Sequence, residues 1–141
     1  MKKYQKGYTT GVYDMFHIGH LNIIRNAKSL CDFLVVGVTT DELCFSRKKK
    51  YPIIPFDNRV KIVEAIRYVD QVVSQSDMDK VKAARELGCD VVIVGDDWKG
   101  TDAWNRYEEE LKKYNIDVVY CPHTDGISST LLRETIKNGE K

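Results

Sequence analysis

Two of the chain's three histidines stand three residues apart in the segment Gly11-Val12-Tyr13-Asp14-Met15-Phe16-His17-Ile18-Gly19-His20. Ahead of it lies a short Thr-rich stretch, residues 8–11, and after it come apolar residues at 21, 23, 24, 27 and 30. That pattern reads as a strand turning into a helix. A helix N-terminus presents free N–H groups and a partial positive charge, so it binds phosphate. Gly11 lets the turn run close to a ligand, and Gly19 lets a triphosphate approach the backbone. Two imidazoles placed there can donate hydrogen bonds to phosphate oxygens, and those bonds strengthen as charge builds during transfer. Neither is placed as a nucleophile, and no Ser or Cys sits beside them. The competing reading makes each a surface or capping histidine; the agreement of position, spacing and glycines favours phosphate.

Other stretches carry matching chemistry. In His123-Thr124-Asp125-Gly126-Ile127-Ser128-Ser129-Thr130, the glycine followed by hydroxyl residues at a helix start offers a second phosphate cradle, which is also a plain N-cap. Arg133 falls one turn into that helix, within reach of a phosphate. Arg67 closes a helix and either grips the phosphate of a second substrate or complements the helix dipole. The run Arg47-Lys48-Lys49-Lys50 is a solvated loop or an anion site. Asp96-Asp97-Trp98 follows an apolar run, so it faces whatever site lies at that strand's end; Trp98 and Trp104 serve either a substrate or helix packing.

These residues must be held by a fold that brings strand ends together. Strand-length apolar runs at residues 33–38 and 91–94, with shorter ones at 71–73 and 118–120, alternate with helix-period segments at 21–30, 60–66, 80–87, 103–114 and 129–137. Asp57 is available as an N-cap and Gly88 as a C-terminal stop. The β-branched, nearly continuous strands are those of a sheet buried on both faces. The expectation is an α/β chain: a single doubly wound (Rossmann-like) domain over residues 1–141 with a five-stranded parallel sheet and right-handed crossovers. Ligands in such sheets sit at the carboxyl ends of the strands, near the switch point.

Composition narrows the classes. A net charge of +1 argues against a broad nucleic-acid footprint. Cys31, Cys44, Cys89 and Cys121 show neither CxxC nor zinc-ligand spacing, which reads as free thiols in a reducing compartment and no structural metal. No stretch approaches the ~20 apolar residues of a membrane span, and residues 1–6 lack the apolar run of a signal peptide. The expectation is a cytoplasmic protein.

His17-Ile18-Gly19-His20 resembles the HxGH signature of the nucleotidylyltransferase superfamily, whose members transfer a nucleotidyl group by in-line attack on the α-phosphate of a nucleoside triphosphate. Arg67-Tyr68-Val69-Asp70 resembles the RYVD motif of cytidylyltransferases, and residues 123–133 are similar to their segment after the last strand. Val94-Gly95-Asp96-Asp97-Trp98 resembles the GDDW segment of the glycerol-3-phosphate cytidylyltransferases, with ethanolamine- and choline-phosphate enzymes next. The resemblance implies CTP with Mg²⁺ on its phosphates, an alcohol phosphate as acceptor and a homodimer. It gives His17, His20, Lys49 and Arg133 catalytic roles. It places the nucleotide against Val12, Tyr13, Asp14, Gly19, His123, Thr124, Gly126, Ile127, Ser128, Ser129 and Thr130. The acceptor falls to Arg47, Arg59, Arg67, Asp96, Asp97 and Trp98. His123 stands where the family usually carries arginine. Adenylyl transfer, as in pantetheine-phosphate, nicotinamide or flavin mononucleotide adenylyltransferases, is the alternative reaction, and a non-catalytic nucleotide sensor is a further reading.

Overall fold

Five parallel strands form one sheet in the order β3-β2-β1-β4-β5. The computed structural model describes residues 3–122. The strands are β1 (Tyr4–Gly11), β2 (Cys31–Thr39), β3 (Gln71–Gln75), β4 (Val91–Gly95) and β5 (Asp117–Cys121). Between them run α1 (Ile18–Ser29), α2 (Asp41–Lys48), α3 (Phe56–Glu64), α4 (Lys80–Glu86) and α5 (Asp102–Lys112). The expected helix at 129–137 lies outside the described residues.

The sheet is covered on both faces, which is why its central strands carry unbroken apolar runs. Leu34, Val36 and Val38 of β2 pack with Ile24 and Ala27 of α1 and Val63 of α3. Val35, pointing the other way, joins Val81 and Ala84 of α4 and Trp104 and Leu111 of α5. Each such fully buried aliphatic contributes ~1.5–3 kcal/mol. The chain thus winds to one face through α1 and α3 and to the other through α4 and α5.

Three details differ from the sequence reading. β1 begins four residues before the Thr-rich stretch, because Tyr4, Lys6 and Gly7 already pair with Cys31, Phe33 and Leu34 of β2; the Gln5 and Lys6 N–H groups also donate to the Asp90 carboxylate at 3.1 and 2.9 Å. Residues 41–48, with Cys44 their one buried side chain, form a helix that periodicity does not announce. Thr40 caps it, Asp41 and Glu42 open it, and Arg47 and Lys48 close it, an arrangement that suits the helix dipole. Asp57 does not cap α3: Pro55 takes that position and Asp57 sits in the first turn. Gly88 ends α4 as expected. At φ +70° it lets its own N–H reach Arg85 O and the Cys89 N–H reach Ala84 O, the two bonds of a Schellman turn.

Candidate active site

β1 and β4 are neighbours, yet α1 leaves β1 toward one face while the chain after β4 reaches α5 on the other. Their carboxyl ends are the switch point, where a parallel sheet opens a crevice. Tyr8 pairs with Val92, and continuing that register sets Gly11 level with Gly95.

The turn after β1 carries the histidines. His17 is the N-cap of α1; its Nδ1 accepts the Gly19 N–H at 3.0 Å, and His20 Nδ1 accepts the His17 N–H at 3.2 Å. This is a capping box built from two imidazoles. It also fixes both tautomers: with each Nδ1 accepting, the ring proton of each neutral imidazole sits on Nε2. The rings stack with centroids 3.8 Å apart. Burial lowers the pKa of both, His20 to about 4 with the neighbouring His17 as the second cause. The pair is therefore neutral at pH 7 and offers two Nε2–H donors. His17 Nε2 is buried and has no partner among the described residues. The first turn of α1 holds no acidic residue, so the helix's positive end is left for an anion.

The rest of the turn is spent on holding this pair. Tyr13, buried with φ 55°, lays its ring over Gly11, where a Cβ would stand 2.8 Å from the ring. Gly11 thus makes room for Tyr13. The same ring meets His20 edge-on at 5.4 Å. Asp14 is buried and accepts the Ile53 and Ile54 N–H groups at 2.9 and 2.8 Å. Val12 O accepts from Arg59.

Residues 8–135 match the family described as cytidylyltransferase-like. The chain belongs to that family. It is 36% identical over 133 residues to the glycerol-3-phosphate cytidylyltransferase of Bacillus subtilis strain 168, covering 94% of this chain and 97% of that one. It is also 36% identical over 108 residues to the FAD synthase of Archaeoglobus fulgidus (77% and 76% of the two chains). The ethanolamine-phosphate cytidylyltransferase of Mus musculus is 36% identical over 124 residues, but the match spans 85% of this chain and 30% of the mouse protein. Among solved structures, the lipopolysaccharide core biosynthesis protein from Thermoplasma volcanium GSS1 superposes with a TM-score of 0.74 at 27% identity, over 86% of this chain and 99% of that one. The chain is accordingly a nucleotidyltransferase with a Rossmann-like fold.

Within this cytidylyltransferase-like fold the remaining candidates separate. Arg47 and Lys48 end α2, and Lys49 is its left-handed C-cap at φ 59°; all three are exposed. Asp96, Asp97 and Trp98 form a 3₁₀ turn directly after β4, at the switch point. Asp97 folds back over Gly95, its Oδ1 standing 2.8 Å from where a Cβ would be. Trp98 is 44% exposed while Trp104 is buried at 4%, so Trp104 packs in the core and Trp98 stands at the surface. Arg59 has no exposed surface: it binds the main chain and Asp41 in place of a solvent-facing phosphate. Arg67 precedes β3, on the amino-terminal side of the sheet, where neighbouring Asp70 pairs with Lys28 at 2.6 Å and accepts the Leu34 N–H. Within one chain it is not brought to the histidines. His123, Thr124, Gly126, Ile127, Ser128, Ser129, Thr130 and Arg133 lie outside the described residues.

One residue joins the site that the motifs did not name. Lys80 opens α4 just after β3, is 8% exposed, and sets Nζ 3.5 Å from Thr10 Oγ1 at the end of β1. Burial, then the charge of Arg47, brings its pKa to about 8. Two cations thus converge on the carboxyl edge. The signal available in the sequence was position alone: a lysine opening the helix that follows a strand.

Proposed function

We propose that this chain transfers CMP from CTP to an alcohol phosphate, glycerol 3-phosphate first among them, with release of pyrophosphate. The observation that carries the reaction type is the reciprocal histidine cap at the start of α1, whose two Nδ1 acceptors leave each neutral ring's proton on Nε2, with His17 Nε2 buried and unpartnered among the described residues. An oxygen of the acceptor's phosphate attacks the α-phosphorus of CTP, and the bond to the bridging oxygen of the β-phosphate breaks. His17 and His20 stabilise the charge that grows on the phosphoryl oxygens. Lys49, with Ser129, Thr130 and Arg133, completes the hold on the triphosphate. Mg²⁺ bound to CTP would neutralise phosphate charge and could be held by the nucleotide's phosphates and water in place of a dedicated protein cage. Arg47 and Lys80 take the acceptor's phosphate, and Asp96 and Asp97 accept hydrogen bonds from polyol hydroxyls. The Bacillus subtilis relative, matched along nearly its whole length, supports cytidine and glycerol phosphate. The protein works as a cytoplasmic homodimer in this reading.

The similarity to FAD synthases favours adenylyl transfer as the second reading, and the mouse relative keeps ethanolamine phosphate as second acceptor. Pyrophosphate release, measured with CTP and ATP at equal concentration against glycerol 3-phosphate, ethanolamine phosphate, choline phosphate and flavin mononucleotide, decides. CTP with glycerol 3-phosphate gives the highest kcat/KM. Faster turnover with ATP overturns the cytidylyl assignment; a higher efficiency with either amine overturns the acceptor alone.

A further inference from the structure

Residues 41–54 form a strap over the carboxyl edge of the sheet, and its two ends are tied to the same side chain. Arg59 Nε donates to Ile54 O at 2.9 Å, Nη1 to Val12 O and Thr39 O at 2.7 Å each, and Nη2 to the Asp41 carboxylate at 2.5 Å. One buried guanidinium thereby joins the chain leaving β1, the chain leaving β2, and both ends of the strap. Asp14 seconds it by accepting the Ile53 and Ile54 N–H groups. Between these anchors residues 45–51 are exposed. Phe45 and Tyr51 stack across the strap's base at 4.5 Å, so the cations Arg47 to Lys50 ride on a closed loop.

The geometry points to Arg59 as a positioning residue that fixes this basic strap relative to the histidine cap, so that the strap's cations and the Nε2–H donors meet the substrates' phosphates together. A planar five-donor fork is required: a lysine keeps the charge but has three donors on one nitrogen and cannot span four acceptors from separate segments. The inference rests on the proposed phosphate role of Arg47 and Lys49, and it also predicts behaviour that needs no turnover.

The test compares wild type with Arg59→Lys and the milder Asp14→Asn, which keeps the shape of the side chain and gives up one acceptor. Steady-state kinetics with CTP and glycerol 3-phosphate will show KM for both raised by about tenfold or more in Arg59→Lys, with kcat within about threefold. A merely structural role gives the opposite pattern, since partial unfolding lowers kcat through the active fraction and leaves KM in place. Hydrogen exchange supplies the arm without turnover: amides 45–54 exchange faster in both variants, amides of α1 do not, and inorganic pyrophosphate slows the strap in wild type only. Unchanged KM overturns the proposal, as does a strap that exchanges at wild-type rates. If Arg59→Lys fails to fold, Asp14→Asn decides by the same two readouts. If wild type turns over neither CTP nor ATP, the proposed function has failed, and the exchange arm still judges the strap.

Discussion

Replacing Lys80 by methionine will stabilise the protein and cripple acceptor binding. Methionine matches the length of the lysine stem, so the packing of α4 against β1 survives. A pKa brought from the ordinary 10.5 to about 8, first by burial and then by Arg47, means that the ammonium is held in the fold against ~3 kcal/mol, at ~1.4 kcal/mol for each tenfold. Lost with the ammonium are its long contact to Thr10 Oγ1 at 3.5 Å and its approach to the Trp104 ring at 5.7 Å, together worth ~1 kcal/mol. The balance is a gain of ~2 kcal/mol, or a rise in Tm of ~6 °C for a chain of this size. The sign is checked by pH. Because the folded pKa lies below the unfolded one, the unfolded chain binds more protons between about 8 and 10.5. Wild-type stability therefore gains a rising contribution across that window, and Lys80→Met lacks it. Thermal melts at pH 7 and pH 10 measure both effects, and the acceptor's KM, raised at least about tenfold by the loss of a phosphate-paired cation, measures the functional half. A lower Tm at pH 7 would refute the desolvation argument, and an unchanged KM would refute the placement of the acceptor's phosphate.

His17→Ala or His20→Ala should each lower kcat by about a hundredfold or more, the scale of removing one transition-state donor. KM for CTP moves less, because the bonds strengthen mainly in the transition state; near-normal kcat in both variants would end the role given to the cap. The pH profile separates this cap from ordinary surface histidines. With folded pKa values held below 6.5, the unfolded chain binds more protons as pH falls from about 6.5 toward 4, so stability declines over that range. Protonating His20 Nδ1 also turns the acceptor of the His17 N–H into a donor, so the His20 contribution to kcat should persist through pH 6.5 and be lost as pH approaches about 4. A His20 ring that titrates at about 6.5 in the free enzyme, read from its NMR shifts, would mean an exposed imidazole.

What could be read from the sequence and what could not follow from how local each feature is. The histidine pair was legible because its chemistry closes within four residues: N-cap and third helical position are the capping-box spacing, and that same spacing sets the tautomers. β2 and β4 were legible because helices on both faces leave no polar alternation to confuse them. α2 was not, since its stability comes from Thr40, a matched dipole and the strap's anchors, with a single buried side chain. Arg59 matched a pattern, but its work depends on Val12, Thr39, Asp41 and Ile54 converging, which only the folded chain reveals. Lys80 and Arg67 make the sharper case. Both flank β3, one after it and one before it. In a parallel sheet the segment just after a strand lies on the carboxyl edge and the segment just before one lies on the far side. Applied to β3, that rule alone sends Lys80 to the carboxyl edge, where it stands beside Thr10, and keeps Arg67 of the same chain on the far side. Motif similarity had assigned a site role only to Arg67. Strand polarity is therefore an independent constraint on which motif residues one chain can bring to its own active site, and it costs no more than knowing where each strand begins and ends.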